Sequence, residues 1–220
     1  MNAVQREDYD THLELDFSYT LENGRRFRVN AFHQARGIAA VFRLIPSEIL
    51  TLAQLSAPPI CEQLCEKKRG LILVIFVGEL RDLETIRLAL SAAETGHLVL
   101  GTLHTASAAK TIDRIVDVFS ATEKDMIRTM LSESLQAVIS QTLVPKVGGG
   151  RMAVHEIMIG TPAIKNLIRE SKVAQMYSVM QTGRQEGMQT LDQCLKMRVD
   201  AGDISSEIAA SFAVNKTFFS

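Results

Sequence analysis

The 220-residue sequence predicts an α/β protein: a small antiparallel β domain, then a core built on a buried parallel sheet, then a helical C-terminal region. Three observations carry that expectation. Residues 12–21 alternate, with Leu13, Leu15, Phe17, Tyr19 and Leu21 on one face and polar residues on the other, the period of a half-buried strand. Leu71–Val77 and His97–Leu103 are apolar runs without alternation, as in strands covered on both faces, and a helical pattern separates them. After residue 160 the apolar positions recur at helical spacing only.

Taken in order, Asn23-Gly24 reads as a hairpin turn because both residues tolerate positive φ. Arg25–His33 and Ile38–Leu44 complete a three-stranded meander, which Pro46 ends. Pro58-Pro59 marks a linker before a helix through Lys68, so residues 1–56 and 57–220 are expected to form separate domains. Asp82 is placed to cap a helix that ends near Gly96, with Leu83, Ile86, Leu90 and Ala93 facing inward. A short helix is expected over 107–116. Ser120-Ala-Thr-Glu123 has the spacing of a capping box, opening a long helix with a stripe of Ile127, Leu131, Leu135, Val138 and Ile139. Gly148-Gly149-Gly150 joins two strand-like runs, and Thr161-Pro162 starts a helix to about residue 170. Further helices are expected over 172–181, 190–200 and 205–213.

The near-zero net charge of −1 gives no electrostatic reason to expect nucleic acid or an anionic membrane as partner. No run of about 20 apolar residues is present to span a bilayer. The polar N-terminus carries no export signal, which makes a cytoplasmic location the expectation. Three scattered cysteines suit a reducing compartment and no disulfide framework. Cys61 and Cys65 lack two further ligands at metal-like spacing, and Cys194 lies in a helical pattern.

Glu79 follows a buried strand and a glycine, at the carboxyl end where open α/β sheets bind ligands. A glutamate there orients or deprotonates an attacking water, or else Glu79-Leu-Arg-Asp82 is a polar loop capping a helix. His104 ends the next strand and His97 begins it. Seven residues of strand hold them about 20 Å apart, so they cannot share a metal. Thr102 and Thr105 flank His104 as phosphate donors or as helix caps. His155-Glu156 lacks the second histidine of a metalloprotease helix and lies in a strand-like run. Arg25, Arg26, Arg28, Arg36 and Arg43 form either a solvated face or a group that reaches a phosphate on a neighbouring domain.

The stretch Gly78–Thr105 resembles the Walker B and histidine boxes of the secretion ATPase superfamily. Gly160-Thr-Pro-Ala-Ile-Lys-Asn-Leu-Ile-Arg-Glu170 resembles the C-terminal motif of one branch, the type IV pilus retraction ATPases. Arg26–Phe32 and Ala40–Arg43 resemble the end of that family's PAS-like N-terminal domain, whose first elements the chain lacks. The resemblance implies a truncated PAS-like β domain over 1–56 and a RecA-like core with C-terminal helices over 57–220. It implies ATP and Mg2+ as ligands, a homohexameric ring, and a pilus platform protein of the inner membrane as partner. The location it implies is cytoplasmic, peripheral to that membrane at the pilus base.

Residue by residue, Glu79 matches the catalytic glutamate, and His104 lies on the nucleotide side of the histidine box. Gly78, Arg81, His97 and Thr105 fall in the nucleotide-binding boxes. Ala163, Ile164, Lys165, Asn166, Leu167, Ile168, Arg169 and Glu170 match the retraction motif, with lysine at 165 where arginine is common. The tail after about Asp203 departs from the family pattern.

One departure bears on function. Arg69–Val74 resembles the strand before the family's phosphate loop, and Phe76–Glu79 resembles the strand that carries Walker B. Between them nothing remains, and no G-x-x-x-x-G-K-[ST] pattern occurs anywhere in the chain. That loop supplies the lysine, the magnesium-binding hydroxyl and most phosphate contacts, so ATP binding by this chain is doubtful. The expectation is a retraction-motor family protein impaired in nucleotide binding. The alternatives are a non-enzymatic ring or interaction subunit, or a remnant without function. Leu71–Val77 is expected to be one continuous strand running toward the helix after Asp82.

Overall fold

The computed structural model describes residues 1–46, 48, 50–55, 57–75, 80 and 82–219. They form two compact units, Met1–Leu55 and Ser56–Ser220.

The first unit is a sheet with a short helix. Helix α1 (Ala3–His12) is closed by an Asn2/Gln5 capping box and ends at Leu13, which adopts a left-handed conformation at φ 59°. Strands β1 (Glu14–Thr20), β2 (Arg26–Gln34) and β3 (Gly37–Ile45) follow as an antiparallel meander in the order β1-β2-β3. The alternation predicts a strand from residue 12, and β1 begins at Glu14. Residues 3–12 are helical instead, because the capping box closes the helix locally and Tyr9 buries against Leu15 and Ala31. On the polar face of the sheet Arg28 donates to Asp16 at 2.9 Å.

The second unit centres on a four-stranded sheet of order β5-β4-β6-β7. Helix α2 (Ile60–Cys65) leads into β4 (Gly70–Ile75), which pairs parallel with β5 (Leu98–Leu103) on one side and β6 (Leu135–Pro145) on the other. Strand β7 (Arg151–Ile159) closes the far side antiparallel to β6. The strand expected over Leu71–Val77 is seen as far as Ile75, and Phe76 to Glu79 lie outside the described residues.

One face of the sheet packs against α3 (Leu83–Glu94), α4 (Ala108–Asp117), α5 (Lys124–Ser134) and α6 (Pro162–Arg169). This core includes Leu71, Leu73, Leu103, Ile112, Ile127, Leu131 and Met158, each nearly inaccessible. The other face is thinner: Leu64 of α2 covers Ile72, Ala137 and Ile139. Helices α7 (Met176–Thr182), α8 (Leu191–Asp200) and α9 (Ser206–Phe212) complete the chain, and a 3-10 turn over Val173–Gln175 precedes α7.

Two local expectations are corrected. The helix expected to run from Ser120 through Ile139 stops at Ser134, and Leu135, Val138 and Ile139 belong to β6. Helical and buried-strand patterns coincide over Leu135-Gln-Ala-Val-Ile, and pairing with β4 decides for the strand. Of the expected capping box one half forms: the Glu123 carboxylate accepts the Ser120 N–H at 3.3 Å, but the Glu123 N–H donates to the Ser120 carbonyl and not to its hydroxyl. That hydroxyl donates to the Glu123 carboxylate at 2.6 Å, and the helix begins one residue after Glu123.

Candidate nucleotide site and motif helix

The carboxyl end of β5 is assembled locally. Beyond Leu103 the chain turns at His104, which is exposed, and enters α4 with Ser107 as its cap, the Ser107 hydroxyl accepting from the Lys110 N–H. Thr105 and Thr111 hydroxyls lie 2.7 Å apart, and Thr111 donates to the Ser107 carbonyl at 3.0 Å. A residue the sequence did not single out for this site fixes the turn from beneath. Glu156 of β7, 5% exposed, accepts the Ala108 N–H at 3.0 Å. Burial pushes the Glu156 carboxyl up from its ordinary value, and the hydrogen bond from Ala108 partly offsets that. The signal for it was a glutamate inside an apolar strand, where a carboxylate requires a partner.

Of the other sequence-predicted residues, Asp82 caps α3, accepting from the Thr85 N–H and hydroxyl, each at 2.8 Å. Those bonds hold its carboxyl below the usual range. His97 sits at the opposite end of β5 from His104; its carbonyl accepts the Gly70 N–H and its ring nitrogen lies 3.4 Å from the Thr95 hydroxyl. The structure therefore brings His104 and Thr105 together and leaves His97 apart. Gly78, Glu79 and Arg81 lie outside the described residues.

The segment 163–170 lies on α6, capped by Thr161 with Pro162 in the first turn. Ile164, Leu167 and Ile168 are buried against the core, and Ala163, Asn166, Arg169 and Glu170 are exposed. Lys165 and Arg169 reach the end of α5. Lys165 donates to the Glu133 carbonyl at 3.1 Å, and Arg169 donates to the Ser132 hydroxyl and the Glu133 carboxylate, each at 3.3 Å. Asn166 donates to Glu170 at 2.9 Å; Lys172, ahead of Asn166, holds the Glu170 carboxyl below its usual range.

Comparison with known proteins supplies the class first. A family model described as "Type II/IV secretion system protein" matches residues 73–149. The crystal structure of the pilus retraction motor PilT with bound ADP superposes at a TM-score of 0.87, with 34% identity, covering 99% of this chain and 82% of that one. The fold is that of the RecA-like secretion ATPases. Among curated proteins, the type IV pilus retraction ATPase PilT of Pseudomonas aeruginosa is 49% identical over 280 residues, spanning 95% of this chain and 81% of the relative. A twitching motility protein of Neisseria gonorrhoeae is 45% identical over 287 residues, spanning 98% of this chain and 77% of the relative. The chain belongs to the PilT family of type IV pilus retraction ATPases.

The alignment lengths add a fact about the chain. Ninety-five per cent of 220 residues is about 209, yet the alignment with the Pseudomonas protein extends over 280 positions. About 70 positions of that relative have no counterpart here.

Proposed function

We propose that this chain is a shortened subunit of a type IV pilus retraction motor, acting in pilus disassembly for twitching motility, whose own nucleotide site is impaired. One observation carries the second clause. Strand β4 ends at Ile75, and by Leu80 the chain already donates a backbone hydrogen bond to Thr102 of β5. The interval holds Phe76 to Glu79 and leaves no room for a phosphate loop with its following helix. A helix N-terminus fed by a glycine-rich turn is what gathers backbone N–H groups around phosphate, and a lysine adds the charge.

On this reading residues 1–56 correspond to the family's PAS-like domain, and 57–220 are the core with its helices. ATP with Mg2+ is the family's ligand. Here Glu79, with Gly78 and Arg81, and His104, with Thr105 and the more distant His97, are the positions that match its nucleotide boxes. If the ligand were bound, Glu79 would orient the attacking water and His104 would face the phosphates, while Glu156 holds the turn between β5 and α4. The α6 residues Ala163–Glu170 form a coupling surface. The assembly is a homo-oligomeric ring, hexameric in the family, against the pilus platform protein on the cytoplasmic side of the inner membrane. In keeping with a peripheral location, no helix among the described residues is long and apolar enough to cross a membrane. Isothermal titration of the purified chain with MgATP tests the reading: no measurable heat of binding is expected, and micromolar affinity overturns it.

A further inference from the structure

Strand β5 is an edge strand of the four-stranded sheet. In a parallel ladder, alternate residues direct both backbone groups to the same side. The His97 carbonyl accepts from Gly70 and so faces the β4 side, which turns Val99, Gly101 and Leu103 the same way. Leu98, Leu100 and Thr102 therefore face outward. The Thr102 carbonyl accepts the Leu80 N–H at 3.1 Å, so Leu80 lies on the far side of β5 from β4. Among the described residues, the outward groups of Leu98 and Leu100 meet no partner. The side chain of Leu100 is 68% exposed. The strand sequence Leu98-Val-Leu-Gly-Thr-Leu103 contains none of the lysines or prolines that blunt natural edges.

The occupant is indicated by where Leu80 sits and by what the relatives carry. Leu80 is bonded to the carboxyl end of β5 on that outer side. Strand β4, which ends at Ile75, lies on the opposite side of β5 from Leu80. In the Pseudomonas relative about 70 further positions are available, and the resemblance of Arg69–Val74 and Phe76–Glu79 to two family strands puts their loss between those two stretches. We propose that the outer edge of β5 is an acceptor for one apolar parallel strand supplied by another polypeptide. The strand is the one that directly precedes Gly78-Glu79-Leu80 in a complete family member, and it adds to the sheet through the free groups of Leu98 and Leu100. The inference shares the missing segment with the proposed function but does not depend on whether nucleotide binds.

The probe is a synthetic peptide of about ten residues, long enough for an average strand. Its sequence is taken from the Pseudomonas relative immediately ahead of the stretch that aligns with Gly78-Glu79-Leu80. It is titrated into the full chain without nucleotide. Saturable one-to-one binding is expected. Leu100→Pro, which removes an outward N–H on an edge, should abolish it. Leu100→Lys should weaken it at least about tenfold, as an edge charge does. Leu88→Lys, on an equally exposed side chain of α3, should leave it unchanged. Circular dichroism establishes that each variant folds. Absence of binding at about 1 mM peptide, or binding indifferent to both Leu100 variants, overturns the inference; that threshold lies near 4 kcal/mol of association free energy. So does a dimer of the chain alone, in sedimentation, that Leu100→Lys dissolves, since a second copy would then be the occupant. Micromolar MgATP affinity in a separate titration would overturn the proposed function and leave the strand acceptor standing.

Discussion

The two edges of the four-stranded sheet are finished in different ways. On β7, Ile157 exchanges both backbone hydrogen bonds with Gln189, at 2.7 and 3.0 Å. The His155 carbonyl accepts the Gln189 side-chain amide at 2.8 Å, and the His155 N–H donates to the Cys194 sulfur at 3.4 Å. Behind that edge Leu195, Cys194, Ile204 and Ala209 form a buried cluster with Val144 and Val154. On β5, the Thr102 carbonyl accepts the Leu80 N–H, and Leu98 and Leu100 face outward with nothing bonded to them among the described residues. A sheet edge costs little when its polar groups reach water, but an apolar edge is a template for pairing. One flank of the sheet is closed by a packed helical cluster, and the other leaves backbone groups of an apolar strand open among the described residues.

The largest expected effects lie on the finished flank. Leu195→Ala, at a fully buried position, should cost about 2–5 kcal/mol in denaturant unfolding. Leu100→Ala should stay within about 0.5 kcal/mol. Equal costs at the two positions would break the comparison, since Leu100 would then be packed and not on an open edge.

Two glycines sharpen it. A Cβ on Gly160 would run into the carbonyl oxygen of Leu135, which is backbone and cannot move aside. A Cβ on Gly101 would meet the tips of Leu80 at 2.5 Å and Leu73 at 3.2 Å, and both side chains can rotate away. Gly160→Ala is therefore expected to cost about 3 kcal/mol, the upper part of the overpacking range, and Gly101→Ala about 1 kcal/mol. Thermal unfolding of the two variants side by side decides. The reverse order would mean that the β5 flank is the more rigid one.

How far this was legible in the sequence follows the same division. The unbroken apolar runs of β4, as far as Ile75, and of β5, the Asp82 and Thr161 caps and the glycine hairpin before β7 are local signals that the structure carries. Two features were not legible because they depend on distant partners. Leu135–Ile139 fits helix or strand until β4 lies beside it. Glu156 gains its place only when the start of α4, 48 residues earlier, comes within hydrogen-bond reach. The capped state of the β7 edge likewise rests on Gln189 and Cys194, whose outward role no spacing rule announces.

Glu156 links that finished flank to the turn after His104, and its removal should have an intermediate effect. Glu156→Ala leaves the Ala108 N–H buried without its acceptor, an expected loss of about 1–3 kcal/mol. The pH dependence has a definite sign. Burial raises the folded-state pKa of Glu156 above its ordinary value of 4.5, so the folded protein holds that proton more tightly than the unfolded chain. Its contribution to stability is then greatest below the ordinary value and falls as pH rises through the raised one. In Glu156→Gln, which keeps an acceptor but cannot ionise, the decline over that window should be smaller. Urea melts of both proteins between about pH 4 and 7 check this, and an undiminished decline in the glutamine variant would assign the dependence to another group.

The smallest stability effect is expected at the α6 surface, where function is proposed to reside. The Arg169–Glu133 pair is 3.3 Å long and both side chains are well exposed. Such pairs contribute about 0–1 kcal/mol, because water screens the attraction and two long side chains must be held in place. Asn166 bonds only along its own helix, to Glu170. Asn166→Ala with Arg169→Ala should therefore shift unfolding by less than about 1 kcal/mol, since Ile164, Leu167 and Ile168 still anchor the helix. A coupling surface and a merely solvated face differ in what else changes. Placed at the aligned positions of the complete Pseudomonas relative, the double substitution should abolish twitching while the ATPase still folds. Intact twitching with both residues removed would reduce Arg169 to local bracing of the end of α5 and Asn166 to a bond along its own helix.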